Sequence, residues 1–211
     1  MTLPPATTRL MLVRHGEPDE SVRGRCYGRL DPGLSPLGVS QMRRAAQLLR
    51  PFRVRALYCS PRRRALDSAR IVLPHLEPRI DARLSEIDFG AMEGLTYEDA
   101  AIRFANVYRV WMQRPTDVCF PEGESFSAMY KRVTKAIDAL IPKHTSLSIA
   151  IVAHAGVNRI ILTRAAGLPK HRMFDCQQPY GAVNVIDYCR GKSRVRLINA
   201  TDPQGCRECS H

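Results

Sequence analysis

The hydrophobic pattern of the chain alternates between short apolar runs and longer amphipathic stretches. The apolar runs are bounded by Gly, Pro or charged residues, and runs of this length and setting are typical of buried strands. Five strands are predicted, with the sequences RLMLV (9–13), VRALYCS (54–60), LSIAIVA (147–153), AVNVIDY (182–188) and SRVRLINA (193–200).

The amphipathic stretches between these runs predict helices. In the helix that starts after residue 34, Ser35 is a candidate N-cap, Pro36 takes the first helical position, and Pro51 ends it. Further helices are predicted over residues 61–74, 96–114, 124–141 and 157–167.

This order of elements predicts an α/β fold. Strands that alternate with helices form a mostly parallel sheet with helices on both faces, which gives three layers, α/β/α. Residues 84–147 contain no predicted strand, and we expect a helical insertion there that lies over one edge of the sheet and over the active site. A single domain is predicted for residues 8–200, and a flexible tail for residues 201–211.

Basic residues dominate the charge of the chain. The formal net charge is +12, and residues 1–83 hold 16 of the 32 basic residues but only 7 of the 20 acidic ones. A nucleic-acid partner, an anionic small substrate and a simply basic surface would each explain this excess. Because the sequence lacks a helix-turn-helix pattern, zinc-finger spacing and aromatic residues within a basic stretch, it argues against nucleic acid. Another partner for this basic half stays open.

Hydropathy and cysteine usage indicate the compartment. No apolar run reaches the roughly 20 residues of a membrane span, and we find no signal peptide, so a cytoplasmic protein without a membrane partner is predicted. Seven scattered cysteines fit reduced thiols better than a disulfide framework. Cys206, Cys209 and His211 lie close together, but a closed zinc site needs four ligands, so an ordinary polar tail is favoured.

Chemically active residues follow three of the predicted strands. Arg14, His15 and Gly16 end the first, Arg62 to Arg64 follow the second, and His154 with Ala155 follows the third. Ligands of parallel sheets bind at the carboxyl ends of the strands, where helix N-termini also favour anions. Since the guanidinium group suits phosphate oxygens, this pattern predicts a phosphate pocket.

Such a pocket can work without a cofactor. The sequence has no Walker-type loop and no cluster of Asp and Glu that would hold magnesium, so neither a metal nor another cofactor is predicted. A neutral imidazole can then act as the nucleophile and form a phosphohistidine. The leaving oxygen also needs a proton donor, and the segment LSEIDFGAMEG offers Glu86, Asp88 and Glu93.

These motifs resemble those of the histidine phosphatase superfamily, over about residues 9–190. The sequence VRHGE resembles the Arg-His-Gly signature, which implies that His15 is phosphorylated and that Arg14 binds phosphate. In the register of SPRRRALDSA, Arg64 rather than Arg62 or Arg63 is the phosphate-binding arginine. LSEIDFGAMEG makes Glu86 the general acid, and VAHAGV makes His154 the second, phosphate-binding histidine.

Within the superfamily, RGRCYGRLDPGLSPLG and FPEGESFSAMYKRV resemble segments of α-ribazole phosphatases. That resemblance implies that Tyr27 and Gly28 lie near the substrate. Two candidate substrate-binding positions depart from the family pattern: Ser21 stands where many members have a phosphate-binding Asn, and Ala155 replaces a glycine. Ser68 likewise replaces a threonine, while the four core residues are present.

The leading hypothesis is therefore a metal-independent phosphomonoesterase for a small phosphorylated metabolite, with α-ribazole 5′-phosphate as a candidate. A phosphoglycerate mutase is the main alternative, although residues 84–147 are compact for one. A protein-phosphohistidine phosphatase and a non-enzymatic anion-binding module are weaker alternatives. The sequence leaves the oligomeric state open, a homodimer included.

Overall fold

The computed structural model of the protein describes residues 3–202, which form one six-stranded mixed sheet with helices on both faces. The strands are β1 (Thr7–Arg14), β2 (Val54–Cys59), β3 (Arg79–Ile80), β4 (Ser148–Ala153), β5 (Val183–Cys189) and β6 (Lys192–Ala200). Their order is β3-β2-β4-β1-β5-β6. The first four strands are mutually parallel, whereas β5 is antiparallel to β1 and β6 is antiparallel to β5. The predicted α/β class with a mostly parallel sheet is confirmed.

Strand β3 was not predicted, because its two residues are both exposed and leave no apolar run in the sequence. Strand β1, in contrast, is buried along nearly its whole length. It lies between β4 and β5 in the middle of the sheet, where both faces are covered and a continuous apolar run is expected.

Six helices complete the layers: α1 (Pro36–Leu49), α2 (Arg63–Val72), α3 (Tyr97–Arg103), α4 (Ala105–Gln113), α5 (Phe126–Leu140) and α6 (Ala155–Ala165). Alternate strand residues separate two cores. Met11 and Val13 face α1 and α2, whereas Leu10 and Leu12 face α5 and α6. This arrangement confirms the three layers.

Side-chain N-caps mark the starts of α1, α3 and α5. The Ser35 hydroxyl accepts a hydrogen bond from the N–H of Gly38 at 2.9 Å, so the predicted N-cap of α1 is confirmed. The helix predicted over residues 96–114 is instead two helices, because Phe104 has non-helical backbone (φ −129°, ψ 42°) and packs against the core. Both halves remain amphipathic, so the break leaves no mark in the hydrophobic pattern.

Residues 84–147 hold α3, α4 and α5. Helix α5 is part of the central architecture, since Met129, Val133, Ala136 and Leu140 are buried in the same core as α6. Helices α3 and α4 lie further out and contribute to the wall of the cleft described below. Within residues 3–202, no helix has both the length and the apolar character that a membrane crossing demands. Cys206, Cys209 and His211 lie outside the described residues.

Candidate active site

The parallel sheet brings the predicted basic residues to one edge. Arg14 is the last residue of β1 and pairs in register with Ala153, the last residue of β4, so His15 and His154 follow neighbouring strands. Their ring centroids are 5.0 Å apart, with the rings edge to face. Arg64 enters from the first turn of α2, which follows β2 on the other side of β4. Three separate segments therefore converge at the carboxyl ends of the strands.

One imidazole nitrogen of His15 is held by the backbone. Nδ1 lies 2.7 Å from the carbonyl oxygen of Gly16, and because a carbonyl can only accept, Nδ1 carries the proton. Burial, together with the charges of Arg64 and Arg14, lowers the pKa of His15 well below its usual value of 6.5. The ring is therefore neutral at physiological pH, and Nε2 keeps a lone pair that can attack phosphorus.

Other groups approach two glycines closely, and at Gly16 the approaching group is backbone, which makes a larger residue costly there. A Cβ atom on Gly16 would lie 2.4 Å from the carbonyl oxygen of Gly38, in the first turn of α1. A Cβ atom on Gly156 would lie 2.4 Å from the Oε1 atom of Glu86. The glycine after His15 thus lets β1 meet α1, and the second glycine admits a carboxylate to the start of α6.

Arg14 is oriented by the segment that precedes β5. Its Nη1 donates to the carbonyl oxygen of Gln178, and its guanidinium group stacks on Tyr180, 3.9 Å from the ring centroid. The Tyr180 hydroxyl in turn lies 2.7 Å from the Tyr27 hydroxyl. These contacts hold the arginine with carbonyl and aromatic partners, so its positive charge remains available to an anion.

Arg64 is fully buried and is also held by carbonyl groups. Nη1 donates to the carbonyl of Leu30 at 2.7 Å, and Nη2 donates to that of Gly28 at 3.2 Å. Its guanidinium group lies 5.0 Å from the centroid of the Tyr27 ring. Burial lowers the pKa of Arg64, which is the expected effect for a cation taken out of water.

Four buried side-chain nitrogens are left without a hydrogen-bond partner within residues 3–202. They are Nε of Arg14, Nε of Arg62, Nε of Arg64 and Nδ1 of His154. Buried polar groups are normally satisfied, and a group of unsatisfied donors at one place indicates a missing acceptor. An oxyanion such as phosphate would supply several acceptor oxygens to this cluster.

His154 is fixed through Ser60. Its Nε2 lies 2.7 Å from the Ser60 hydroxyl, which also accepts the N–H of Arg62 at 3.3 Å. The serine hydrogen can then be donated to Nε2, which places the imidazole N–H on Nδ1, the atom without a partner. Burial and the charges of Arg64, His15, Arg14 and Arg62 lower the pKa of His154 well below 6.5.

Among the three candidate acids, Glu86 is the one that lines the cleft around His15. Its Oε2 accepts the N–H of Gly156 at 3.1 Å, and its Oε1 accepts the N–H of Ile87 at 3.0 Å. Asp88 instead accepts the N–H of Gly90 at 2.8 Å. Glu93 accepts backbone N–H groups of the loop at residues 28–30. The structure thus assigns structural contacts to Asp88 and Glu93.

The remaining predicted substrate-binding residues separate into two groups. Tyr27 and Ala155 line the cleft, and Gly28 lies beneath it as a carbonyl partner of Arg64. Ser21 is exposed in a short 3-10 turn, where its N–H donates to Asp19, and it does not line this cleft. No group of three or more metal-ligating side chains is found within the described part of the chain.

The sequence analysis missed Gln178, Tyr180 and Arg159. The first two precede β5, which runs antiparallel to β1, so the start of β5 lies at the carboxyl end of β1. Arg159 is one helical turn beyond Ala155 in α6 and donates to the carbonyl of Cys176 at 3.0 Å. Searching the amino ends of antiparallel strands would have found Tyr180.

Beyond the basic cluster, which consists of Arg14, His15, Arg64 and His154, the cleft is strongly aromatic. It has a volume of about 290 Å³ and reaches from His15 to the residues contributed by α3, α4 and the loops beside them. Its aromatic lining residues, which together form the aromatic wall, are Tyr27, Phe89, Tyr97, Trp111, Phe120, Phe126, Phe174 and Tyr180. Trp111 packs against Phe89 and Phe120, with ring centroids 5.3 and 5.4 Å away. Glu86 is the single carboxylate among the described lining residues.

The two buried histidines of the site, His15 and His154, should make the stability of the anion-free protein depend on pH. Their folded-state pKa values lie below 6.5, so the unfolded chain binds their protons first as the pH falls. The contribution of these histidines to the free energy of unfolding is therefore fully present above about pH 6.5. Below that pH the free energy of unfolding decreases, by up to about 1.4 kcal/mol per pH unit for each histidine. Urea unfolding at pH 7.5 and 5.5 measures this. The variant His154→Gln should lose part of the dependence, and a variant of the exposed His75 should keep it. An identical dependence in wild type and His154→Gln would contradict the assignment.

The sequence and the fold match those of known proteins. A profile of the histidine phosphatase superfamily (branch 1) matches residues 10–201. The crystal structure of an α-ribazole phosphatase from Shigella flexneri superposes with a TM-score of 0.85 at 29% identity, covering 92% of this chain and 97% of that one.

Curated relatives extend this comparison. A bifunctional protein of Mycobacterium tuberculosis is 34% identical over 198 residues, which is 92% of this chain but only 54% of the relative, so the chain spans about half of that protein. Phosphoserine phosphatase 1 of Hydrogenobacter thermophilus is 31% identical, with 92% of both chains covered.

An adenosylcobalamin/α-ribazole phosphatase of Salmonella typhimurium is 29% identical, covering 91% of this chain and 96% of that protein. The relatives therefore include phosphatases with different substrates. What they share with this chain is the superfamily, and the profile match covers nearly all of the described residues. The chain belongs to branch 1 of the histidine phosphatase superfamily.

Proposed function

We propose that the protein is a metal-independent phosphomonoesterase that acts through a phosphohistidine on His15. We further propose that the alcohol released from its substrate carries an aromatic ring, with α-ribazole 5′-phosphate as the first candidate. The observation that carries the proposal is the set of unpartnered buried nitrogens on Arg14, Arg64 and His154, grouped with a neutral His15. These side chains supply the positive charge that a metal supplies in other phosphatases.

In the first step, Nε2 of His15 attacks phosphorus in line with the ester oxygen. A nitrogen–phosphorus bond forms as the phosphorus–oxygen bond to the leaving group breaks, and Glu86 donates a proton to the leaving oxygen. Arg14, Arg64 and the Nδ1–H of His154 stabilise the negative charge on the remaining phosphoryl oxygens. Because these donors are already fixed by carbonyls and Ser60, little reorganisation is needed during the reaction.

In the second step, water hydrolyses the phosphohistidine. Glu86, now ionised, takes a proton from the attacking water as the water oxygen bonds to phosphorus. The nitrogen–phosphorus bond then breaks, which releases phosphate and restores neutral His15. Glu86 is suited to both steps because it lines the cleft in which the leaving group and then the water would lie.

The lining of the cleft supports a leaving group that carries an aromatic ring. Rings such as those of Phe89 and Trp111 offer stacking and edge-to-face contacts to a flat apolar group. α-Ribazole 5′-phosphate carries an aromatic base on its ribose and would use this surface. The ammonium group of phosphoserine, in contrast, would be repelled by the cationic lining residues Arg14, Arg25, Arg64 and Arg159, with Glu86 as the one carboxylate among the described lining residues. Phosphoglycerate would leave the aromatic wall unused.

A substrate panel tests the proposal. We expect kcat/KM for α-ribazole 5′-phosphate to exceed that for ribose 5-phosphate, phosphoserine and 3-phosphoglycerate by about tenfold, since an aromatic contact is worth up to about 1.5 kcal/mol beyond the area it buries. Chelators should leave the rates unchanged. If 3-phosphoglycerate with a trace of 2,3-bisphosphoglycerate isomerises faster than it releases phosphate, the protein is a mutase instead.

A pair of neighbouring variants tests the aromatic wall itself. Trp111→Ala should raise KM for α-ribazole 5′-phosphate by about tenfold and leave ribose 5-phosphate unaffected, because the latter lacks the stacking group. Met112→Ala is the matched control, since Met112 is the next residue of α4, is half exposed and does not line the cleft. Equal losses on both substrates in Trp111→Ala would mean that the tryptophan serves packing rather than recognition.

A further inference from the structure

Arg62 and Arg63 are adjacent in sequence but have different surroundings. Arg63 is exposed over 68% of its side chain, pairs with Asp67 at 3.5 Å, and donates its backbone N–H to Asp31 at 2.6 Å. The side chain of Arg62 has no ion pair or hydrogen bond within residues 3–202, and its Nε is buried. The family register assigns phosphate binding to Arg64 and to neither of these two residues, whereas the structure separates them.

Arg62 lies on a second cavity that shares a wall with the aromatic cleft. This cavity has a volume of about 620 Å³, and Glu86 lines both spaces. The other charged residues of the second cavity are Arg29, Asp88, Glu124 and Arg132. Arg62 therefore approaches the site from the side of Glu86 that faces away from the aromatic wall.

The carboxylates of the second cavity are already engaged. Glu124 forms a bidentate ion pair with Arg132, in which both N–O distances are 2.7 Å. Asp88 accepts the N–H of Gly90 at 2.8 Å and lies 3.7 Å from Arg29. Neither of them, nor Glu86, is in ion-pair contact with Arg62, so no carboxylate among the described residues forms an ion pair with this cation.

Arg62 is also close enough to the basic cluster to act on it. Its charge is among the causes that lower the pKa values of His154 and Arg64, after burial and other neighbours. Its backbone N–H shares the Ser60 hydroxyl with His154. An uncompensated guanidinium near Arg14, the buried Arg64 and two buried imidazoles is unfavourable unless an anion occupies the site.

We propose that Arg62 is a third phosphate-binding arginine, which contacts the phosphoryl group from the side of the second cavity. This inference rests on the proposed function, because it places the same phosphoryl group on His15. The three unpartnered Nε atoms of Arg14, Arg62 and Arg64 would then surround one anion. Arg62 stabilises the phosphoryl oxygens by charge-assisted hydrogen bonds and takes no part in the proton transfers.

The test compares Arg62→Ala, Arg62→Lys and Arg63→Ala with the wild type. Orthovanadate serves as a competitive inhibitor of p-nitrophenyl phosphate hydrolysis, and thermal unfolding is followed with and without inorganic phosphate. We expect Arg62→Ala to raise the vanadate inhibition constant about tenfold, Arg62→Lys to lie in between, and Arg63→Ala to stay within about twofold of wild type.

The thermal data distinguish binding from a structural role. Removing an uncompensated cation should raise Tm in anion-free buffer and reduce the gain in Tm that phosphate produces. A lower Tm together with an unchanged inhibition constant in Arg62→Ala would overturn the inference, and so would equal effects in Arg62→Ala and Arg63→Ala. If the wild type neither hydrolyses p-nitrophenyl phosphate nor binds vanadate, the proposed function itself fails.

Discussion

His15→Ala is expected to abolish phosphoenzyme formation and to lower turnover by about 10⁴-fold or more. The reason is that His15 is the residue placed to offer a free Nε2, because its Nδ1 is committed to the Gly16 carbonyl. The adduct of the wild type should be labile to acid and stable to alkali. Rapid quench with a radiolabelled substrate, followed by intact-mass measurement, detects it.

The control for this variant is the exposed His75, whose replacement by Ala should leave both the adduct and turnover intact. Circular dichroism and thermal unfolding would show that His15→Ala still folds, which matters because the side chain is buried. An adduct of normal amount on His154 in this variant would reverse the two assigned roles.

Glu86→Gln is expected to slow esters with poor leaving groups by about 10²-fold or more, while affecting phosphorylation by p-nitrophenyl phosphate far less. Ribose-type alkoxides need a proton as they leave, whereas nitrophenolate leaves without one. The amide keeps the size of the side chain but cannot donate a carboxyl proton. Single-turnover kinetics on both substrates separates phosphorylation from the later hydrolysis of the phosphohistidine.

Asp88→Asn is the matched control, since Asp88 lies two residues away and its carboxylate faces the neighbouring cavity instead. This variant should change the rate of phosphorylation by the same factor for both substrates, if it changes the rate at all. Equal slowing of the phosphorylation step for both substrates in Glu86→Gln would exclude the general-acid role.

The strand ends were predictable because they follow from two local rules. A buried apolar run predicts a strand, and parallel strands place their carboxyl ends at one edge. Arg14, His15 and His154 therefore converge as the sequence suggested. The register of β1 with β4 and the contact between the two imidazole rings agree with this expectation. The close approach that requires Gly16 could not be predicted, because its partner, Gly38, belongs to α1 and the two glycines are 22 residues apart in the sequence.

Other parts of the site depend on long-range packing. Tyr180 reaches Arg14 because β5 is antiparallel to β1, and hydrophobic periodicity carries no information on strand direction. The aromatic wall is assembled from residues as far apart as Tyr27 and Phe174, with no common motif. Ser21 was selected by its offset from Arg14 in the family pattern, yet the backbone turns it outward here.

The loop at residues 25–30 and the segment at residues 93–96 are bound to each other as one unit. The Glu93 carboxylate accepts N–H groups of Gly28 and Arg29 at 2.8 and 2.7 Å, and the N–H of Cys26 donates to the carbonyl of Leu95 at 2.9 Å. The same loop gives Arg64 two of its carbonyl partners. A chimera that imports a relative's α3 and α4, which carry Tyr97 and Trp111 of the aromatic wall, to change substrate preference should therefore take its first junction after residue 96. A junction before residue 93 would exchange the wall together with the support of a phosphate-binding arginine, and lost activity would then be mistaken for altered preference.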